Sequence, residues 1–270
     1  MKGERDTLVL LARRLCQLAM VVVLLAMYAP VVMTIVYSFN DSRFGSVFTR
    51  FSLAGYQRLF EESELWIALR TSVLLGAAVS SLSVVFGSLA AWGLKKWKPT
   101  SQQAASGLLA LPLVTPDMIT GISLALAFQA IALDRGYFTL LLAHGVFGIG
   151  YAFVVMQSAI ADFDENLYAA AIDLGATPWQ ATRRVIIPLL LPSLAVAWLL
   201  VFAISLDDVL ITLLTKGVGT DTLPMEIFSR MRFGLRSDTN ALFTVMLLVV
   251  FFVALGASRM FRGKLVGETR

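Results

Sequence analysis

The chain has 270 residues, 58% hydrophobic and 15% charged, with a mean hydropathy of +0.78. A soluble domain is about 45–50% apolar and about 25% charged, so this composition excludes a single soluble core and predicts an all-α, polytopic membrane protein. The net charge of +4 lies largely beside the apolar runs, where topology explains it without nucleic acid, and a lone cysteine, Cys16, and a lone histidine, His144, exclude an intrachain disulfide and a histidine-rich metal site.

Six apolar runs follow in chain order, at residues 15–39, 66–94, 104–133, 137–160, 185–215 and 241–258. Each is near the roughly 20 residues that a spanning helix needs. They are continuous rather than alternating, and backbone in lipid must satisfy its own polar groups, so six transmembrane helices are expected. The first run is too long for a signal-peptide core, and Pro30 follows the small residue Ala29, so it reads as an uncleaved span. No linker or low-complexity stretch divides the chain, and one domain over residues 1–270 is expected.

Lysine and arginine set the orientation. Lys2, Arg5, Arg13 and Arg14 precede the first run, and Lys95, Lys96 and Lys98 follow the second. Arg183 and Arg184 follow the fourth, and Arg259, Arg262 and Lys264 follow the sixth. Six crossings put all these groups on one side, with both termini cytoplasmic. Trp66, Trp92 and Trp97 stand at run ends, as interfacial tryptophans do. The third and fifth runs each open with Pro-Leu-x-x-Pro, at Pro112 to Pro116 and Pro188 to Pro192. Such prolines free backbone carbonyls and bend a helix.

Three carboxylates fall inside the runs: Asp117 in the third, and Asp207 and Asp208 in the fifth. A charge at mid-membrane costs about 2.5–3.5 kcal/mol on insertion scales and normally faces a bundle interior or an aqueous path. The runs offer no evident lysine or arginine partner, so a cationic substrate would supply the missing charge. Trp198 and Phe202 are candidate cation–π faces. Plainer readings also stand: Asp117 caps a broken helix after Pro116, and Asp207 and Asp208 sit in a hydrated vestibule or meet a partner subunit. His144, beside Gly145, reads as a packed, hydrogen-bonded core residue. Gly121, Gly145, Gly148 and Gly150 read as close helix contacts. The Arg230, Arg232 and Arg236 segment reads as a solvated loop.

The fourth and fifth runs are joined by a polar stretch, about 161–184. Asp162 with Glu165 resembles a capping box. The helix that follows carries Ala169, Ala170, Ala171 and Asp173, and Gly175 is placed to end it in the left-handed conformation. Thr177 and Pro178 then start a second short helix. The alanine face allows close approach by another surface, and Trp179 has the character of an interface anchor. The alternative is an amphipathic hairpin lying on the membrane.

This segment resembles the EAA loop of the inner-membrane permeases of binding-protein-dependent ABC importers. Ala169, Ala170, Ala171 and Gly175 match its first half, and Val185-Ile186-Ile187-Pro188 match its second, nine residues beyond Gly175. The resemblance implies a type I ABC importer permease fold in a bacterial inner membrane. It implies docking of this loop in a cleft of a separate cytoplasmic ATPase dimer, a second homologous permease subunit and a periplasmic substrate-binding protein. The family's glutamate is Ala169 here, and Glu165, one turn earlier on the same face, is expected to take over part of its role. Further stretches, from Tyr37, Pro112, Ser205 and Thr222, resemble the spermidine/putrescine permeases, in particular the second permease subunit of such systems. That resemblance implies import of polyamines.

The chain has no GxxxxGK[ST] loop, so the resemblance puts ATP on a partner, with no cofactor on this chain. Two other function classes use the same carboxylates. An intramembrane aspartyl enzyme would pair Asp117 with Asp207 or Asp208, but the Gly-x-Gly-Asp context is absent. A proton-coupled secondary transporter would have no need of the cytoplasmic loop.

Overall fold

The computed structural model describes residues 2–41, 47–95, 97–231 and 237–267. Its described elements are helical throughout, apart from one isolated antiparallel bridge between Asn40 and Phe51. In chain order they are α1 (Lys2–Ser38), α2 (Ala54–Glu61), α3 (Ser63–Leu94), α4 (Pro99–Val114), α5 (Asp117–Ala130), α6 (Tyr137–Ala161), α7 (Glu165–Asp173) and α8 (Pro178–Ala181). A π-helical turn (Thr182–Ile186) leads into α9 (Ile187–Asp207), followed by α10 (Leu210–Thr215), α11 (Leu223–Met231) and α12 (Ser237–Gly267). Among the described residues, 4 helices are long and apolar enough to cross a membrane, or 5 if α4 and α5 count as one bent span. The sixth expected run lies in α12, whose described apolar part is the shorter Ser237–Phe252.

Contacts divide the chain into two compact units, residues 1–63 with 230–270, and residues 64–229. In the first, α1 and α2 pack on α12. The apolar stretch Leu10–Ser38 of α1 has 0% of its window buried. Such a surface is stable only in lipid or against another chain. Below it Asn40 is a buried hub. Its amide donates to the Val47 carbonyl (2.7 Å) and accepts from Thr49 N–H (2.9 Å), while its backbone carbonyl accepts from Ser237 Oγ (2.7 Å). Arg230 is mostly buried, 3.1 Å from Glu62 and 3.8 Å from Asp238. It belongs to an ion-pair cluster rather than to the solvated loop expected from sequence. Arg232 and Arg236 lie outside the described residues.

In the second unit α6 is central, with 50% of its span buried. It packs along α9 and against α4. Glycines permit this approach. A Cβ on Gly148 would lie 2.5 Å from Ser83 Oγ, and one on Gly150 2.8 Å from the Leu109 carbonyl oxygen. Gly145 faces open space, so the expected close contact at that position is absent. Leu75, Val79, Leu140, Ala152 and Val201 fill the centre, and Phe153, Met156, Ile186 and Leu190 continue it toward α7.

The two Pro-Leu-x-x-Pro segments behave differently. Thr115 and Pro116 are both extended (ψ 131° and 136°), as steric pressure on a pre-proline residue favours, and α5 leaves α4 at 104°. In the fifth run the helix continues unbroken through Pro188 and Pro192. Pro188 lies in the first turn of α9, where a missing N–H costs little, and the π turn just upstream absorbs the irregularity. The fifth run breaks instead at Asp208, which is extended (ψ 127°).

Candidate functional site

The two helix breaks of the second unit meet. Asp117, the first residue of α5, and Asp207 and Asp208, at the end of α9, line one cavity of about 330 Å³ together with Pro112, Phe147 and Tyr151. Among the described lining residues none is lysine or arginine. The three carboxylates singled out by sequence, roughly 90 residues apart along the chain, are thus brought together.

Their environments differ. Asp117 and Asp207 are exposed to the cavity, and among the described residues neither side chain has a hydrogen-bond or ion-pair partner. Pro116, not Asp117, is the capping residue of α5, so the capping alternative for Asp117 does not hold. Asp208 is held in the wall, its side chain 8% exposed. Its Oδ2 accepts from Thr212 N–H (2.7 Å) and Thr212 Oγ1 (2.8 Å), its Oδ1 from Ile211 N–H (3.3 Å), and His144 Nε2 lies 3.4 Å away. These bonds tie down the start of α10, the role an N-cap carboxylate plays.

His144 is fully buried, as expected of a core histidine, and both ring nitrogens are engaged: Nδ1 with Ser205 Oγ at 2.8 Å and Nε2 with Thr212 Oγ1 at 3.0 Å. Its proximity to Asp208 had no local signal, because 64 residues separate the two along the chain. The aromatic faces of the cavity are Phe147 and Tyr151. Trp198 and Phe202, the faces expected from sequence, stack on each other 5.0 Å apart. They turn toward α3, where Trp198 Nε1 donates to Ser81 Oγ (3.1 Å) and Phe202 covers Gly76. Spacing along α9 puts them on a different face from Asp207.

The second candidate site is the polar connection of α7 and α8. The cap of α7 is Asp164, whose side chain accepts from Asn166 N–H at 2.9 Å, not Asp162, which ends α6 in helical conformation. Gly175 has φ +85°. Ala176 N–H donates to the Ala171 carbonyl (3.0 Å) and Gly175 N–H to the Ile172 carbonyl (2.9 Å), the paired bonds of a Schellman motif. Thr177 and Gln180 then form a reciprocal capping box, with Pro178 in the first turn of α8. Ala169, Ala170, Asp173 and Thr177 are exposed, Ala171 is half-buried, and Pro188 is exposed at the start of α9. Leu174 and Trp179 are 89% and 67% exposed. Glu165 pairs with Lys95, the residue after α3, at 2.8 Å, and Lys95 also donates to the Ile160 carbonyl (3.1 Å). Glu165, expected to meet a partner's cation, has a cation within its own chain. Beside it a cavity of about 540 Å³ is lined by Trp92, Phe163, Tyr168 and Ala169.

Comparisons with known proteins agree with these features. Residues 83–265 match the family model described as binding-protein-dependent transport system inner membrane component. The chain is 36% identical over 230 residues to the spermidine/putrescine transport system permease protein PotC of Haemophilus influenzae, covering 85% of this chain and 90% of that protein. It is 36% identical to the putrescine transport system permease protein PotI of Escherichia coli K12 (82% and 81% covered) and 30% identical to PotC of that organism (90% and 92%). Two solved structures share its fold. A bacterial ABC transporter involved in import of the acidic polysaccharide alginate has a TM-score of 0.65 at 14% identity, covering 91% of this chain and 94% of that one. A bacterial alginate ABC transporter in complex with its pentasaccharide-bound periplasmic protein gives 0.68 at 18% (91% and 92%). Helix breaks, polar connection, fold and sequence relatives together show that this chain belongs to the inner-membrane permease components of binding-protein-dependent ABC importers.

Proposed function

We propose that this permease subunit imports polyamines, spermidine or putrescine, by alternating access. One observation carries the reading: Asp117 and Asp207 face the same cavity with no described cation in its lining. Polyamines bear ammonium groups on apolar stems, which match two carboxylates beside the rings of Phe147 and Tyr151. The names of the sequence relatives support the same substrate class. In this reading Asp117 and Asp207 contact the cation, and Asp208 helps shape the site.

The energy comes from outside the chain. The exposed Leu174 and Trp179 and the alanine face of α7 dock on a cytoplasmic ATPase dimer. Asp173, Gly175, Thr177 and Pro188 give the docking segment its shape and its exit into α9. The Glu165–Lys95 pair braces α7 against α3. A second permease subunit completes the pathway, a periplasmic binding protein delivers the substrate, and both termini are cytoplasmic.

The test is uptake of labelled putrescine and spermidine by the assembled importer. Asp117→Asn and Asp207→Asn should each lower uptake about tenfold or more, as loss of a charge-assisted contact of about 1.5–3 kcal/mol implies, with the complex still assembled. Full uptake by both variants would overturn the cation site.

A further inference from the structure

Asp117 and Asp207 stand on different helices, and one short element sets their separation. Asp117 begins α5, and α10 packs on α5 so closely that a Cβ on Gly121 would lie 2.7 Å from Leu214 Cδ1 and 3.4 Å from Ile211 Cα. Asp207 ends α9, separated from α10 only by Asp208 and Val209. The break at Asp208 is a potential hinge, and α6 closes it. His144 holds Ser205 before the break and Thr212 after it, and Thr139 Oγ1 donates to the Thr215 carbonyl at 2.9 Å.

The hydrogen-bond directions are determined by this network. Thr212 Oγ1 spends its single proton on Asp208 Oδ2 (2.8 Å), so it accepts from His144 Nε2–H (3.0 Å). In the neutral ring Nδ1 then accepts from the Ser205 hydroxyl (2.8 Å). The relay Ser205–His144–Thr212–Asp208 is fully enclosed or nearly so, with His144 and Thr212 at 0% and Ser205 at 4% exposure. Buried polar networks that are fully satisfied fix geometry strongly, because every departure leaves an unpaired group.

We infer that His144 is a positioning residue that, through Thr212 and Asp208, fixes the distance between Asp117 and Asp207 and so selects substrates by the spacing of their ammonium groups. This rests on the cation reading of the cavity. Neither His144 nor Thr212 is among the residues lining the cavity, so their effect on selectivity is exerted through α10.

The experiment uses the complete importer, with its ATPase and binding protein, in liposomes. Maximal uptake rates are measured for the propane, butane and pentane α,ω-diamines. Saturating substrate fills the binding protein with each diamine in turn, so that maximal rates report the permease step. The wild type should prefer one length. Thr212→Val keeps the side-chain shape and removes the hydroxyl relay, and should change the ratio of rates between lengths by about threefold to tenfold, as net loss of one ordinary hydrogen bond, that from His144 to Thr212, implies. Thr212→Ser, which keeps the hydroxyl, should retain the wild-type ratio, and His144→Gln should shift it as Thr212→Val does. Equal loss for all lengths in Thr212→Val, an unchanged ratio, or a wild type indifferent to length would overturn the inference. A wild type that moves no diamine would overturn the polyamine reading itself, and the inference with it.

Discussion

Asp207 and Asp208 are neighbours in sequence and opposites in circumstance. The α9 helix ends between them, so one carboxylate opens on the cavity while the other turns back to cap α10. Removing Asp208 orphans the Ile211 and Thr212 N–H groups and the Thr212 hydroxyl proton, and unsatisfied buried groups cost about 1–3 kcal/mol each. Asp208→Ala should therefore lower the thermal midpoint of the purified protein in detergent, whereas Asp207→Ala should leave it near wild type while losing uptake. Equal midpoints for the two variants would contradict this division of labour. The acidic character of the site was legible in the sequence, since a charge in an apolar run calls for a reason. Which carboxylate is available and which is committed was not, because the answer depends on His144 and Thr212 arriving from elsewhere in the chain.

The elements with strong local chemistry were the most legible. The left-handed Gly175 and the Thr177–Gln180 box stand where glycine, threonine, proline and glutamine place them. The cap of α7 is shifted from Asp162 to Asp164 because α6 runs on through Ala161, and two acidic residues so close together give equal local signals. The proline pairs were less legible: the same motif yields a 104° break in one run and an unbroken helix in the other. The difference lies in position, since Pro188 stands in a first helical turn while Pro116 follows a completed helix. A side chain at Gly175 must adopt φ near +85°, which costs roughly 1–2 kcal/mol for an L residue. Gly175→Val should thus reduce transport-coupled ATP hydrolysis by the assembled importer, whereas Gly145→Ala, which meets nothing within 4 Å, should be silent.

At the scale of the molecule, the chain supplies a carboxylate-lined cavity and an exposed polar elbow, with α6 and α9 running between the levels of the two. On the reading proposed here, Trp179 is the main anchor of that elbow. Trp179→Ala should weaken co-purification of the ATPase by about tenfold or more, as hot-spot truncation of about 2 kcal/mol implies, without altering the fold of the permease, because a side chain 67% exposed contributes little to its own core. Unchanged co-purification would remove Trp179 from the interface. Composition and the continuous, non-alternating apolar runs determined that the protein is helical and lives in lipid, because backbone in lipid must satisfy its own polar groups and a barrel strand would alternate. Local motifs determined the turn geometry of the elbow. Tertiary structure decided how the two breaks meet, which aromatic rings line the cavity, and that Glu165 is paired within the chain. Those outcomes depend on long-range packing of α5, α6, α9 and α10, and side-chain partners from distant positions leave no periodic trace along any one segment.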